Sequence, residues 1–215
     1  IKEFIICLGY KGYQIKEYFM NYAAFRSDIT VDTSSNNQAS ITFHRSDSED
    51  WKITLANTGE DTMTGGRIKR IGKYLNPEEP FCLTYGDGVS DIDIGKSIDF
   101  HNAHGKLATV SGVRPNARFG ALELAGHQVT SFKEKPEDEG GFINGGYFVL
   151  SPKVLDYIAD EDHTIWEKAP LENITKNGEL EAYLHEGFWQ PMDTLRDHTY
   201  LSNLWEKHKA PWKVW

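Results

Sequence analysis

Three settings in this 215-residue chain could do chemistry at phosphorus. Asp87 stands between Gly86 and Gly88, directly after the mostly apolar run Phe81-Cys82-Leu83-Thr84-Tyr85. Such a run reads as a buried strand closing on a tight turn with an acid at its tip. That acid can reach a metal ion, and bare glycine backbone lets a phosphate come close; the same residues also make an ordinary Asp-Gly turn. Asp193 follows Phe188-Trp189-Gln190-Pro191-Met192 and precedes a helical pattern, so it is either a metal ligand or a capping acid. Lys135 closes Val129-Thr130-Ser131-Phe132-Lys133-Glu134 and is followed by Pro136, which stops the strand. Glu134 there could take sugar hydroxyls and Lys135 a phosphate, or the two form an exposed charge pair. Parallel strands would bring these ends to one sheet edge. Two carboxylates could then hold Mg²⁺, with Lys135 and an arginine holding an attacking phosphate. A phosphate monoester is already an anionic nucleophile, so in-line displacement needs no nucleophilic side chain.

Other stretches add weaker signals. Met63-Thr64-Gly65-Gly66-Arg67 feeds a helical pattern carrying Ile68, Ile71 and Leu75. A glycine-rich helix start offers N–H groups to an anion or a base, and it is equally a plain helix start. Asp91-Ile92-Asp93 could ligate a metal beside a sugar nucleotide, although acids favoured by the macrodipole of the next helix are the preferred reading. His101 and His104 read as surface or partner histidines, since no third ligand stands at a telling spacing. Arg114 and Arg118 flank a loop that binds phosphate or is simply solvated. Gly145 and Gly146 interrupt the strand pattern Phe142–Leu150, as at a bulge or a close backbone approach.

The elements that must position these residues alternate between strand and helix patterns. Strands are predicted over residues 2–8, 39–43, 51–55, 81–84, 107–113, 129–135 and 142–150. Helices are predicted over Gln14–Phe25, after Gly66, up to His104 before Gly105, over Pro152–Ile158 and Trp166–Lys176, and after Thr194. Thr194 is a plausible N-cap with Asp197 three residues on, and Leu201, Leu204 and Trp205 mark the buried face. Residues 28–37 read as a loop or surface hairpin, and the aromatic tail from Ala210 as packing on the body or on a neighbouring subunit. No linker divides the pattern, so residues 1–215 are expected to form a single domain. The fold class is α/β: a Rossmann-like, mixed and mainly parallel sheet flanked by helices.

Composition narrows the partners. The chain is 39% hydrophobic and 26% charged, as globular proteins are. A formal net charge of −9 argues against nucleic acid or an anionic membrane as the main partner. A phosphate site here must rest on a few placed cations, helix N-termini and a divalent ion. Cys7 and Cys82 both sit in apolar runs and read as buried, reduced thiols of a cytoplasmic protein. The sequon Asn173-Ile174-Thr175 is read as chance.

Several stretches together resemble sugar-phosphate nucleotidyltransferases. They are Met63-Thr64-Gly65-Gly66-Arg67, Thr84-Tyr85-Gly86-Asp87-Gly88-Val89, Arg118-Phe119-Gly120-Ala121-Leu122, Glu134-Lys135-Pro136, Ile143-Asn144-Gly145-Gly146 and Gly187 to Asp197. The Tyr-Gly-Asp-Gly-Val and Trp-Gln-Pro-Met-Asp-Thr runs are similar to the cytidylyl branch of that family. The resemblance implies that CTP and glucose 1-phosphate give CDP-glucose and pyrophosphate. It implies Mg²⁺ on Asp87 and Asp193, and the nucleotide against Thr62, Arg67 and Gly86 with its base near Gly65 and Gly66. It implies the sugar phosphate on Gly120, Glu134, Lys135 and Asn144. It also implies a homo-oligomer, commonly a hexamer, whose product feeds deoxysugar synthesis for surface polysaccharides. The family opens with a first strand and a Gly-Gly-x-Gly-Thr-Arg-Leu loop; Ile1 aligns with the second strand, so the chain is expected to be an N-terminally incomplete piece, inactive by itself. Two rivals stand beside this reading: a metal-dependent glycosyltransferase using Asp91 and Asp93, and a non-catalytic sugar-nucleotide-binding or assembly module.

Overall fold

A computed structural model describes residues 1–34, 40–46, 49–115, 121–125, 128–133 and 141–214. They group in two units, Ile1–Leu75 with Leu155–Pro170, and Asn76–Val154 with Leu171–Trp215.

In the first unit, β1 (Glu3–Leu8) is followed by α1 (Gly12–Met20), α2 (Tyr22–Phe25), β2 (Ser27–Asp32), β3 (Ser40–Ser46), β4 (Lys52–Asn57) and α3 (Thr64–Ile71). β1 and β4 pair in parallel, from Glu3↔Lys52 to Leu8↔Asn57, and parallel neighbours require the long crossover that residues 9–51 supply. The helix predicted over Gln14–Phe25 is interrupted at Asn21. Its side-chain amide donates to the Glu17 carbonyl at 2.8 Å, a local bond that competes with the helical ladder. β2 and β3 pair antiparallel as a surface hairpin. Leu8, Ala56, Ile68, Ile71, Ile158 and Trp166 form the core of this unit. The aromatic face of α1 and α2 is clustered, Tyr18 lying against Phe19, Tyr22 and Phe25, yet Ile15 and Tyr18 remain exposed.

The second unit holds β5 (Phe81–Thr84), β6 (Gly88–Ser90), α4 (Ile94–His104), β7 (Ala108–Val113), β8 (Ala121–Ala125), β9 (Gln128–Lys133), β10 (Ile143–Leu150), most of α5 (Ala169–Lys176), β11 (Leu180–His185), β12 (Trp189–Pro191) and α6 (Leu195–Glu206). Four strands form a sheet in the order β11-β7-β10-β5. β11 is parallel to β7, and β10 runs antiparallel to both β7 and β5, so three strands share one direction and β10 opposes them. α4 packs on β7, β10 and β11. The fold is therefore the expected mixed α/β sheet flanked by helices. Its buried centre is β7, where Ala108, Thr109, Ser111 and Val113 lose nearly all their surface. Among the described residues β5 pairs with β10; Cys82 is exposed and Cys7 half-buried, where both were expected buried.

Two further expectations change. Trp205 is 48% exposed rather than buried, with Lys213 Nζ 5.0 Å from its ring centroid, so Leu201 anchors α6. The tail does pack on the body, Trp212 stacking on Phe188 at 5.5 Å. His101 and His104 are not surface groups. Both ring nitrogens facing inward meet Thr109 Oγ1, at 2.9 and 2.7 Å. The Lys106 N–H donates to His104 Nδ1. Neutral His104 therefore carries its proton on Nε2 and donates to Thr109, whose hydroxyl also bonds His101 Nδ1. These bonds tie α4 to β7 through Thr109.

Burial, with His104 second, pushes the His101 pKa below the usual histidine range. The unfolded chain then binds more protons than the folded one as pH falls below the unfolded value. This contribution to stability is complete above about pH 6.5 and is lost on acidification towards the folded pKa. Urea unfolding at pH 7.5 and pH 5.5 should show lower stability at the acid value, and His101→Gln should flatten that dependence. An unchanged slope in the variant would rule out His101 as its source.

Candidate active site

A short antiparallel ribbon builds the acid pair. β6 and β12 pair through Trp189↔Ser90, Gln190↔Val89 and Pro191↔Gly88. Pro191 faces Gly88 in a non-hydrogen-bonded pair, where the ladder needs no N–H, and the Met192 N–H makes the next ladder bond, to the Asp87 carbonyl at 2.7 Å. Asp87 and Asp193 thus flank the same end of one ribbon. The sequence placed these acids at the ends of parallel strands. The chain instead turns after β5 and runs on as β6, and it is an antiparallel ladder that brings Asp193 to Asp87. Thr194 caps α6 as predicted, in a reciprocal capping box with Asp197.

Beside the ribbon lies an open cleft of about 130 Å³, lined by Tyr85, Asp87, Asn144, Gly145, Gly146 and Trp189 among others. Its floor is an irregularity in β10. Pairing with β7 slips between Asn144 and Phe148, which takes the intervening residues out of the ladder. Two of them fasten the ribbon: Trp189 Nε1 donates to the Gly145 carbonyl and the Tyr147 hydroxyl to the Gly88 carbonyl, each at 2.8 Å. The Asn144 side chain accepts from the Gly146 N–H at 2.8 Å. Gly146 has φ +77°, and a Cβ there would lie 2.8 Å from Tyr85 Cδ2. The expectation of both a bulge and a close approach at Gly145-Gly146 is met. Gly86 and Gly88 differ: neither has a positive φ, and a Cβ on either would meet nothing within 4 Å. Protein packing does not demand glycine there, which leaves backbone open beside Asp87.

Thr62, Gly65, Gly66 and Arg67 gather in the first unit around the start of α3. Thr62 Oγ1 donates to Asp162 Oδ1 at 2.8 Å and accepts from Arg70 Nη1 at 2.7 Å. The Thr62 hydroxyl, then Arg70 through its own 2.9 Å bond to Asp162 Oδ1 and its charge, pull the Asp162 pKa down. Arg67 donates to Thr58 Oγ1 and to the Glu60 carbonyl. Gly65 and Gly66 have a packing reason: a Cβ would lie 2.7 Å from Thr164 Cγ2 and 2.6 Å from the Glu161 carbonyl oxygen respectively. The Gly66 N–H is taken by the Thr164 carbonyl. Residues 161–164 thus occupy part of the helix start that the sequence offered to an anion.

Gly120, Glu134 and Lys135 lie outside the described residues, as does Arg118. The Asp91-Ile92-Asp93 pair is engaged elsewhere. Asp91 Oδ1 meets His185 Nε2 at 2.9 Å, and Asp93 caps α4 by accepting from the Lys96 N–H at 3.0 Å. Among the described residues no cluster of three or more His, Cys, Asp or Glu could hold a metal. Two exposed carboxylates still suit Mg²⁺, which prefers oxygen donors, keeps several waters and completes its shell with substrate phosphates. Sequence reasoning missed the roles of Trp189, Tyr147 and Gln190. Only their position in the motifs around Asp87 and Asp193 could have signalled them.

A nucleotidyl transferase family model matches residues 10–204. The chain belongs to that family. It is 55% identical over 215 residues to the glucose-1-phosphate cytidylyltransferase of Salmonella typhimurium, covering 100% of this chain and 82% of the relative. It is 41% identical, with the same coverage, to a probable glucose-1-phosphate cytidylyltransferase of Bacillus subtilis. The fold is shared with HddC from Yersinia pseudotuberculosis, at 23% identity and a TM-score of 0.60, covering 95% of this chain and 79% of that one.

Two glycine substitutions separate packing from ligand access. Gly146→Ala, which forces a left-handed φ on alanine against the Tyr85 ring, should cost about 1–3 kcal/mol in urea unfolding. Gly86→Ala should change stability by less than about 0.5 kcal/mol. Equal costs at the two positions would contradict this account of the cleft.

Proposed function

We propose that this protein transfers a cytidylyl group from CTP to glucose 1-phosphate, giving CDP-glucose and pyrophosphate. The observation that carries the reading is the acid pair, Asp87 and Asp193, at one end of the ribbon and beside a glycine-lined cleft. Family membership and the names of its relatives over the full chain support it. A phosphate oxygen of glucose 1-phosphate attacks the α-phosphorus of CTP; the bond to the β-phosphate oxygen breaks and pyrophosphate leaves. Asp87 and Asp193 would hold Mg²⁺, which when bound neutralises charge on the triphosphate. Open backbone at Gly86 admits the phosphate chain. Asn144, with its oxygen held by the Gly146 N–H, can present its amide NH₂ to a sugar hydroxyl. Lys135 would hold the attacking phosphate, with Glu134 and Gly120 on the sugar. Thr62, Gly65, Gly66 and Arg67 would serve the nucleotide.

The working form is proposed to be a homo-oligomer. Ile29 and Val31 on β2, Ile41 and Phe43 on β3, and Tyr18, Met20 and Phe25 nearby in sequence are all exposed, apolar surface that a second subunit could cover. No helix among the described residues is long and apolar enough to cross a membrane. Work in the cytoplasm, supplying deoxysugars for surface polysaccharides, completes the proposal.

Pyrophosphate release by the full-length reading frame, with glucose 1-phosphate, Mg²⁺ and CTP, UTP, dTTP or ATP, tests it. Release with CTP is expected, falling at least about a hundredfold in Asp87→Ala and in Asp193→Ala. Asp91→Ala should keep the Mg²⁺ requirement; loss of that requirement there, with Asp87→Ala unaffected, would favour the glycosyltransferase. No release with any nucleotide would leave the binding module.

A further inference from the structure

Asp193 hangs between two fixed points. On its N-terminal side Met192 is bonded to the Asp87 carbonyl. On its C-terminal side the Thr194 N–H and Oγ1–H both donate to Asp197 Oδ2, at 3.1 and 2.8 Å. The Asp197 N–H returns a bond to Thr194 Oγ1. A helix cap needs no more than this. Asp197 does more. Its other oxygen, Oδ1, accepts from Gln190 Nε2 at 3.1 Å, and the same amide donates to the Pro191 carbonyl at 3.0 Å. Gln190 is 9% exposed, so this bond runs in a site largely shielded from water. One carboxylate therefore grips the chain both before and after Asp193: the ribbon through Gln190, the helix start through Thr194.

We infer that Gln190 and Asp197 are positioning residues that fix the Asp193 carboxylate against Asp87 for a divalent cation. The inference rests on the proposed reading of Asp193 as a metal ligand. Charge and geometry favour it over a plain capping role. An ionised carboxylate is acceptor-only, and Gln190 Nε2, the Thr194 N–H and the Thr194 hydroxyl all donate to Asp197. Capping alone would be complete without Gln190. The Gln190 amide and the Pro191 carbonyl it bonds lie three and two residues before Asp193, where they stiffen the ladder segment that leads into it.

The experiment measures binding of Mn²⁺ to the full-length protein by electron paramagnetic resonance of the free ion, together with thermal unfolding. Gln190→Met keeps the size of the side chain, removes both amide bonds and leaves the Thr194–Asp197 capping box intact. It should bind Mn²⁺ about 10- to 100-fold more weakly. Asp197→Asn, which must point one donor at another donor, should weaken binding similarly, and it carries the same test if Gln190→Met does not fold. Asp193→Ala is the control for the reading beneath the inference. If Asp193→Ala binds Mn²⁺ as the unaltered protein does, the metal reading falls and the inference with it. If Asp193→Ala loses binding while Gln190→Met and Asp197→Asn keep it and only melt earlier, the two residues are a structural cap and the positioning role is wrong.

Discussion

The hydrogen bond from the Met192 N–H to the Asp87 carbonyl extends the β6–β12 ladder one step past Pro191, and the candidate site depends on that step. It carries the register of the ladder on to two acids more than a hundred residues apart in sequence. Proline is tolerated at position 191 because it faces Gly88 in a non-hydrogen-bonded pair, where its missing N–H removes no ladder bond. The ribbon carrying this bond is too short to be stable by itself. It is held to β10 by Trp189 Nε1, which donates to the Gly145 carbonyl within the β10 irregularity, and by the Tyr147 hydroxyl, which donates to the Gly88 carbonyl.

That irregularity connects the sheet to the site. Gly145 packs so tightly on β7 that a Cβ would meet Val113 Cγ1 at 2.6 Å, and Gly146 turns through a left-handed φ beneath Tyr85. Both glycines serve the fold. Gly86 and Gly88 answer no such demand, and their bare backbone lies beside the acid. The same residue type is thus spent in two ways within one cleft, on packing in β10 and on access in the turn after β5.

Much of this was legible in the sequence because it is local. Apolar runs gave most of the strands, Gly105 ended α4 as expected, and the Thr194–Asp197 spacing announced its capping box. The strand break at Gly145-Gly146 was also readable. What pairing decides was not. The sequence could not say that β6 would pair with β12 in place of a parallel arrangement. His101 and His104 looked like surface groups because nothing in the sequence places Thr109 between them. Gln190 looked like one more polar residue in a motif until its amide was seen joining Asp197 to the ribbon.

The central claim is that Asp87 and Asp193 share one divalent ion. Anomalous diffraction from crystals of the full-length protein grown with Mn²⁺ and CTP tests it most directly. The account predicts a single peak within coordinating distance, roughly 2.0–2.6 Å, of a carboxylate oxygen from each acid. A peak bound by only one of them, or none at this ribbon end while the nucleotide is in place, would contradict it.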